Sequence, residues 1–385
     1  MLLEIYLKEM KDCFRDRRTL FLTVLLPIVM MTGLTLFYES LVSDGEDNTY
    51  TLALDENISG AEADIFSVLE NVKIIKTENP EEVIKEGDAQ AAVLLDSDFT
   101  AKIEDGQAAS ITIIGDSFSQ NSSALMTLVS GALTAYEKTI VSERLAQEGT
   151  DPSLIQPLSI EQKEVSEEDP TINLLALLVP MILALAVGIG AGPAASDLFA
   201  GEKEKKTMEA LLMTPVSRST LLFSKWLTIS SIGTITGMIT LAVVALEIAF
   251  LTENLRKAVS FGDDAPLIIG IAILISVIYA MFIASVLMVT SIIGKTVKES
   301  QSYSTPIMML VTIPALTTAN LSINELAFHH FAIPILNLFS LLKELLFGVI
   351  QYDHILIVIG SNVLFMALAF VIGRALFMKD KWVIN

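Results

Sequence analysis

Residues 201–218 read GEKEKKTMEALLMTPVSR, and their reading decides the fold. The stretch lies between two long apolar runs, roughly 172–195 and 221–251. Each is long enough to cross a bilayer, which takes about 20 residues. The stretch is therefore expected to be a cytoplasmic loop of a membrane protein. Glu202 and Lys206 stand four apart with the acid first, a favourable helical pair. Met208, Leu211 and Leu212 fall at i, i+3 and i+4 and give one narrow apolar stripe. Thr214-Pro215 ends that helix, because the residue before proline is pushed out of the α region. Thr214 is also placed to cap, with Pro215 at its first position, a new helix leading into the next span. Two small helices joined by a rigid corner are expected, with Arg218 at the tip. Composition alone would also allow a plain solvated loop.

Outward from this loop, 52% of the 385 residues are hydrophobic, which is high for a soluble protein. Further apolar runs lie at about 19–37, 266–293, 303–322 and 354–378, making six expected spans. Lysine and arginine cluster before the first, between the second and third, between the fourth and fifth, and after the sixth. The positive-inside rule then places both termini in the cytoplasm. Arg256 and Lys257 fall on the opposite side as a minor exception. Residues 1–18 read as an interfacial amphipathic helix with Leu3, Tyr6, Leu7, Met10 and Phe14 on one face. The apolar run after it is too long, and its leader too acidic, for a signal peptide. Residues 323–352 hold Pro334, Asn337, Lys343 and Glu344, costly against lipid. They are expected to form a re-entrant hairpin on the outer side, buried in protein.

Residues 43–171 hold 27 acids and 7 bases, a net of −20 that equals the charge of the whole chain. Such an acidic insert argues against nucleic-acid binding, which needs a basic footprint. Strands are expected at 50–55, 72–77, 91–95 and 110–115, with helices near 60–70, 80–87, 98–105 and 120–148. That alternation predicts a small α/β domain outside the cell, joined back to the membrane by a linker holding Pro152, Pro157 and the Glu-rich 161–169. The fold class is thus an α-helical polytopic membrane protein of six spans with an inserted extracytoplasmic α/β domain. Its parts are a cytoplasmic helix (1–18), the first span (19–42), the acidic domain (43–171) and spans two to six (172–385). The last part includes the loop 197–220 and the hairpin 323–352.

The chain carries no phosphate-binding loop. Gly294-Lys295-Thr296 imitates the end of one, but Val289 stands where its first glycine is required. No zinc-protease or nucleophile-elbow motif is present, so catalytic, cofactor and metal residues are not assigned. Adjacent His329 and His330 point different ways on a helix and make a poor metal pair. The single cysteine, Cys13, excludes an internal disulfide and reads as incidental. Ionisable groups within the bundle are candidates for a transport pathway: Glu247, Asn337, Lys343 and Glu344. Glu39 and Asp197, at span ends, fit the headgroup level. Asn320 and the hydroxyls between Thr228 and Thr240 add hard oxygen donors of the kind small cations prefer. Gly188, Gly190, Gly192, Pro193, Pro306 and Pro314 suit either a hinge or tight packing.

The string Thr207-x-Glu209-x-Leu211-Leu212-x-Thr214-Pro215-Val216-x-Arg218 resembles the cytoplasmic loop between the second and third spans of ABC-2 type ABC exporter permeases. The leader, Lys8-Glu9-Met10-Lys11-Asp12 with Arg15-Asp16-Arg17-Arg18-Thr19 and Pro27, is similar to one branch of them, the Nat-type bacterial sodium exporters. So is the hairpin, Ile333-Pro334-Ile335-Leu336-Asn337 with Leu342-Lys343-Glu344-Leu345-Leu346 and Gly348. The resemblance runs over essentially the whole chain. It implies the ABC-2 exporter fold and a multi-pass subunit of the bacterial cell membrane, two copies forming the pore as a homodimer. Two ABC ATPase subunits would carry ATP and Mg and dock on Glu202, Thr207, Glu209, Leu211, Leu212, Thr214, Pro215 and Arg218. Closure of the ATPases would push the loop, shift spans two and five, and switch access from inside to outside, with the acidic domain capping the exit. Sodium is the cargo that branch implies. An exporter of a drug, antimicrobial peptide or lipid is the alternative, and a non-transporting membrane receptor using the outer domain is a second.

Overall fold

The structure, a computed structural model of the chain, describes residues 1–46, 49–69, 71–96, 98–117, 119–151, 170–250, 264–319 and 321–383. The expected linker 152–169, Arg256, Lys257 and Asn320 lie outside them, as does the side chain of Glu39. The chain divides into two compact units, Met1–Leu41 with Ser166–Asn385, and Val42–Val165.

The first unit is helical. Helix α1 (Leu2–Arg15) is followed by α2 (Arg17–Glu46), which carries Pro27. Among the described residues, four helical stretches are long and apolar enough to cross a membrane: Leu175–Glu204, Arg218–Phe250, Ala265–Ile293 and Tyr352–Phe377. Within α2, Phe21–Phe37 is a shorter apolar stretch. The run expected as a fifth span is broken in two, Val297–Met309 and Thr312–Ala319. Pro314 explains the break. It has no N–H to give the Leu310 carbonyl, and its ring would strike that carbonyl in a continuous helix.

The core lies where α7 (Pro170–Ser196), α10 (Arg218–Phe250) and the helix Ala265–Ile293 meet. Small residues allow the close approach. A Cβ on Gly190 would stand 2.6 Å from Thr236 Oγ1 of α10, and one on Gly188 would collide with Met308. Elsewhere on α10, Trp226 Nε1 donates to Ser285 Oγ at 2.8 Å, and its ring packs edge-on against Phe370. Helix α1 lies against α10, with Tyr6 and Ser231 hydroxyls 2.9 Å apart. Its expected apolar face divides. Tyr6 and Met10 turn inward with Glu9 and Cys13, while Leu3, Leu7 and Phe14 stay exposed. The helix is anchored through polar groups that its hydrophobic pattern does not show.

The second unit holds a four-stranded sheet in the order β2-β1-β3-β4. Its strands are β1 (Tyr50–Asp55), β2 (Val72–Thr77), β3 (Ala91–Leu95) and β4 (Ile111–Gly115). β1 runs parallel to both neighbours and β4 antiparallel to β3. Alternation sorts the side chains. Leu52 and Leu54 meet Leu125 and Val129 of α6 (Gln120–Gln147) on one face. Ala53 and Ala92 meet Val83 and Ile84 of α4 (Pro80–Glu86) on the other. Between β1 and β2, α3 (Gly60–Asp64) opens with a reciprocal cap, Ser59 and Glu62 each accepting the other's backbone N–H.

The glycine packing in α7 is testable. Gly190→Ala adds a methyl against Thr236, whereas Gly192→Ala meets nothing within 4 Å. Both gain helix propensity, so their difference isolates the clash. Gly190→Ala is expected to be the less stable by about 1–3 kcal/mol, read as the lower melting temperature of the detergent-solubilised chain.

Candidate functional site

The segment after α7 is built as a continuous rod. The helix passes through a π-type turn, Asp197–Gly201, into a short turn of α-helix, α8 (Glu202–Glu204). Lys203 points inward and donates to the carbonyls of Ile292 at 2.7 Å, of Gly294, and of Trp382 at 3.3 Å. It thus satisfies carbonyls at the C-terminal end of the helix Ala265–Ile293, where positive charge is favoured. On the same turn, Glu204 Oε2 accepts the Val297 N–H at 3.0 Å, the first N–H of the helix Val297–Met309. Ser300 of that helix bonds both Ser196 and Ser291 at 2.9 Å.

One buried cation gathers the other elements. Lys225 of α10 is 0% exposed. Its Nζ lies 2.7 Å from Glu202 and 3.4 Å from Glu9 of α1, with the Phe199 ring at 5.8 Å. This corrects the expected helical pair of Glu202 with Lys206. Lys206 adopts φ 56°, the left-handed region, so the helix stops there and the two side chains do not share a face. A new helix, α9 (Thr207–Leu212), begins at once.

In α9 only Met208 is buried, and Leu211 and Leu212 are half-buried. Thr207, Glu209, Thr214 and Pro215 are exposed, as is Met213, at 89%. Thr214 does not cap α10. Its hydroxyl donates backwards to the Leu211 carbonyl at 2.6 Å, and Ser217 caps α10 instead by accepting the Thr220 N–H at 3.1 Å. Three residues separate Thr214 from the first turn of α10, too far for Thr214 to reach its free N–H groups. Arg218, the first residue of α10, reaches Asp380 at 2.8 Å and the Met378 carbonyl at 3.2 Å. The eight residues of the expected docking loop therefore share one corner, which is bonded to α10, two further helices and the C-terminal segment, with Glu9 of α1 sharing Lys225.

A groove of about 870 Å³ separates α1 from this corner, with Asp12, Cys13, Asp197 and Glu202 on its walls. Burial, then the charges of Glu9 and Asp197, push the Cys13 thiol up to about 12.

The expected pathway residues do not converge. Glu247 is 6% exposed and accepts the hydroxyls of Thr32 at 2.6 Å and Thr35 at 2.7 Å, both on α2. The other three lie on the buried helix Leu336–Leu346. Lys343 donates to the carbonyls of Thr318 (at 3.4 Å) and Leu321, near the end of the helix Thr312–Ala319. Glu344 holds His354 Nδ1 at 2.8 Å, and His354 stacks on Phe331. The Asn337 amide is fully buried and makes no hydrogen bond among the described residues. Lys203, Lys225, Glu9, Thr32 and Thr35 escaped the sequence reading as functional residues. Lys225 carried a signal, since a lysine beside a long apolar run needs a buried partner.

The model of the ABC-2 family transporter protein matches residues 17–375. The chain belongs to the ABC-2 family of transporters. It is 38% identical over 385 residues, covering 100% of both chains, to the ABC transporter permease protein NatB of Bacillus subtilis (strain 168). It is thus a membrane-embedded permease subunit of an ABC transporter, a class that works with an ABC ATPase.

The buried thiol of this ABC-2 permease gives a direct check. A maleimide at pH 8 needs thiolate, so Cys13 should stay unlabelled in the folded protein and label fully after denaturation. Rapid labelling in the folded state would show that α1 does not rest on α10 as described.

Proposed function

We propose that this chain is the membrane half of an ATP-driven exporter that extrudes sodium from the cytoplasm of a bacterium. The observation that carries the reading is the corner at 202–218. Its exposed side presents Thr207, Glu209, Met213, Thr214 and Pro215. Its inner side is fixed through the buried Lys203 and the Glu202–Lys225 pair. A surface that is polar outside and rigidly bonded inside suits a docking lever. Two ATPase subunits bind there and supply ATP with its Mg, and two copies of this chain form the pore as a homodimer. The permease itself binds no nucleotide.

Six spans cross the bacterial cell membrane with both termini in the cytoplasm. The first is α2 and the fifth is the Pro-broken pair. The acidic unit then lies outside. Motion of the corner passes to α7 directly, to α10 through Lys225, and to the broken fifth span through Glu204 and Ser300. Sodium as cargo is supported by the resemblance of the leader and hairpin to Nat-type exporters and by the buried carboxylate of Glu247. Of the pathway candidates, Glu247 and Asn337 are the two whose polar atoms are not committed to a helix end or a histidine.

The test is ATP-driven sodium-22 uptake into inside-out vesicles containing the chain and its co-expressed ABC ATPase. Uptake should require ATP and fall at least about tenfold in a Thr214→Ala/Pro215→Ala variant, an energetic effect above about 1.4 kcal/mol on coupling. Absence of uptake while the ATPase still co-purifies would reject sodium and leave a hydrophobic cargo as the reading.

A further inference from the structure

Glu247 is a buried charge of the helical unit, 6% exposed. It sits on α10, 22 residues beyond Lys225, about 33 Å along the helix axis. Both carboxylate oxygens are engaged, Oε1 by Thr32 and Oε2 by Thr35. Among the described residues no lysine, arginine or histidine pairs with it.

The two threonines are unusual in how they use their protons. Thr228, Ser230, Ser231, Thr236 and Thr240 on α10 all donate to the carbonyl four residues back in their own helix. Thr32 and Thr35, one turn apart on α2, donate across to Glu247 instead. Each carboxylate oxygen therefore accepts one hydroxyl. An ionised carboxylate buried without a countercharge is costly. The balance is restored by one positive charge. A divalent ion would leave a net charge, whereas a monovalent ion leaves none. The available ligands are carboxylate and hydroxyl oxygens, the hard donors that alkali and alkaline-earth ions prefer.

We propose that Glu247, Thr32 and Thr35 form a binding site for a small monovalent cation, Na⁺ or Li⁺ in preference to K⁺, between α2 and α10. The site deepens the permease reading, on which it rests, by placing a cargo-binding step at a named carboxylate. Because the carboxylate already bridges α2 and α10, the ion would sit at the contact between the two helices.

Equilibrium binding of sodium-22 to the purified full chain with its co-purified ATPase tests the site. One ion per chain is expected, displaced by Li⁺ more readily than by K⁺. Glu247→Gln should weaken binding about 100-fold or more, the scale for truncating one member of a buried charge pair. Thr32→Val/Thr35→Val should weaken it about 10–100-fold, as for groups that orient a ligand. Glu247→Asp should retain part of the binding, which keeps the test decisive if the Gln variant misfolds. Sodium binding that is unchanged in Glu247→Gln, or absent from the wild-type chain, overturns the site. Failure of the wild-type chain to retain the ATPase strikes the permease reading instead, since binding is read on the chain without nucleotide.

Discussion

A lysine ammonium with no exposure to water sits where three chain segments cross, and one end of the helical unit of this permease is organised around it. Lys225 is held by Glu202 from the corner and Glu9 from the amphipathic helix. In low dielectric, removing one partner of such a group typically costs about 3–5 kcal/mol, because the charge left behind has nowhere to go. Separating any one of the three segments from the crossing is therefore costly. This property suits an element that must pass displacement, because packed contacts transmit motion only when they do not yield gradually.

Lys203 and Glu204 extend the same logic to neighbouring helices. The first occupies carbonyls at the end of Ala265–Ile293, and the second an N–H at the start of Val297–Met309. The two charges thus sit at helix ends of the sign that each terminus favours. Consecutive residues 202–204 consequently reach three separate helices.

Much of the architecture was legible in the sequence, since it rests on runs and periods. The four strands fall where alternating apolar runs lie, and the long helices follow unbroken hydropathy. The break between α9 and α10 was legible because Thr214-Pro215 must interrupt a helix. Its internal wiring was not. Nothing local signals that Lys206 turns left-handed or that Glu202 chooses Lys225, because those outcomes depend on partners some twenty or two hundred residues away. The face of α1 was misdivided for the same reason. Its hydrophobic stripe indicates one side, whereas Glu9 and Cys13 are buried by contacts with α10 and the corner. Glu247 was legible as a buried acid, but its threonine partners on α2 required the fold. Lys343 and Glu344 are adjacent in sequence yet serve opposite neighbours, which spacing alone does not reveal.

The most direct test removes the buried charges together, so that none is stranded. A Lys225→Met/Glu202→Gln/Glu9→Gln variant keeps the approximate volumes, leaves Thr207 to Pro215 untouched, and deletes the ionic crossing. Ions transported per ATP hydrolysed is the quantity to measure in vesicles containing the variant and its ATPase. The expected result is normal ATPase binding and hydrolysis with transport reduced at least about tenfold. An unchanged transport-to-hydrolysis ratio would contradict the role of Lys225 as the link between corner and pore.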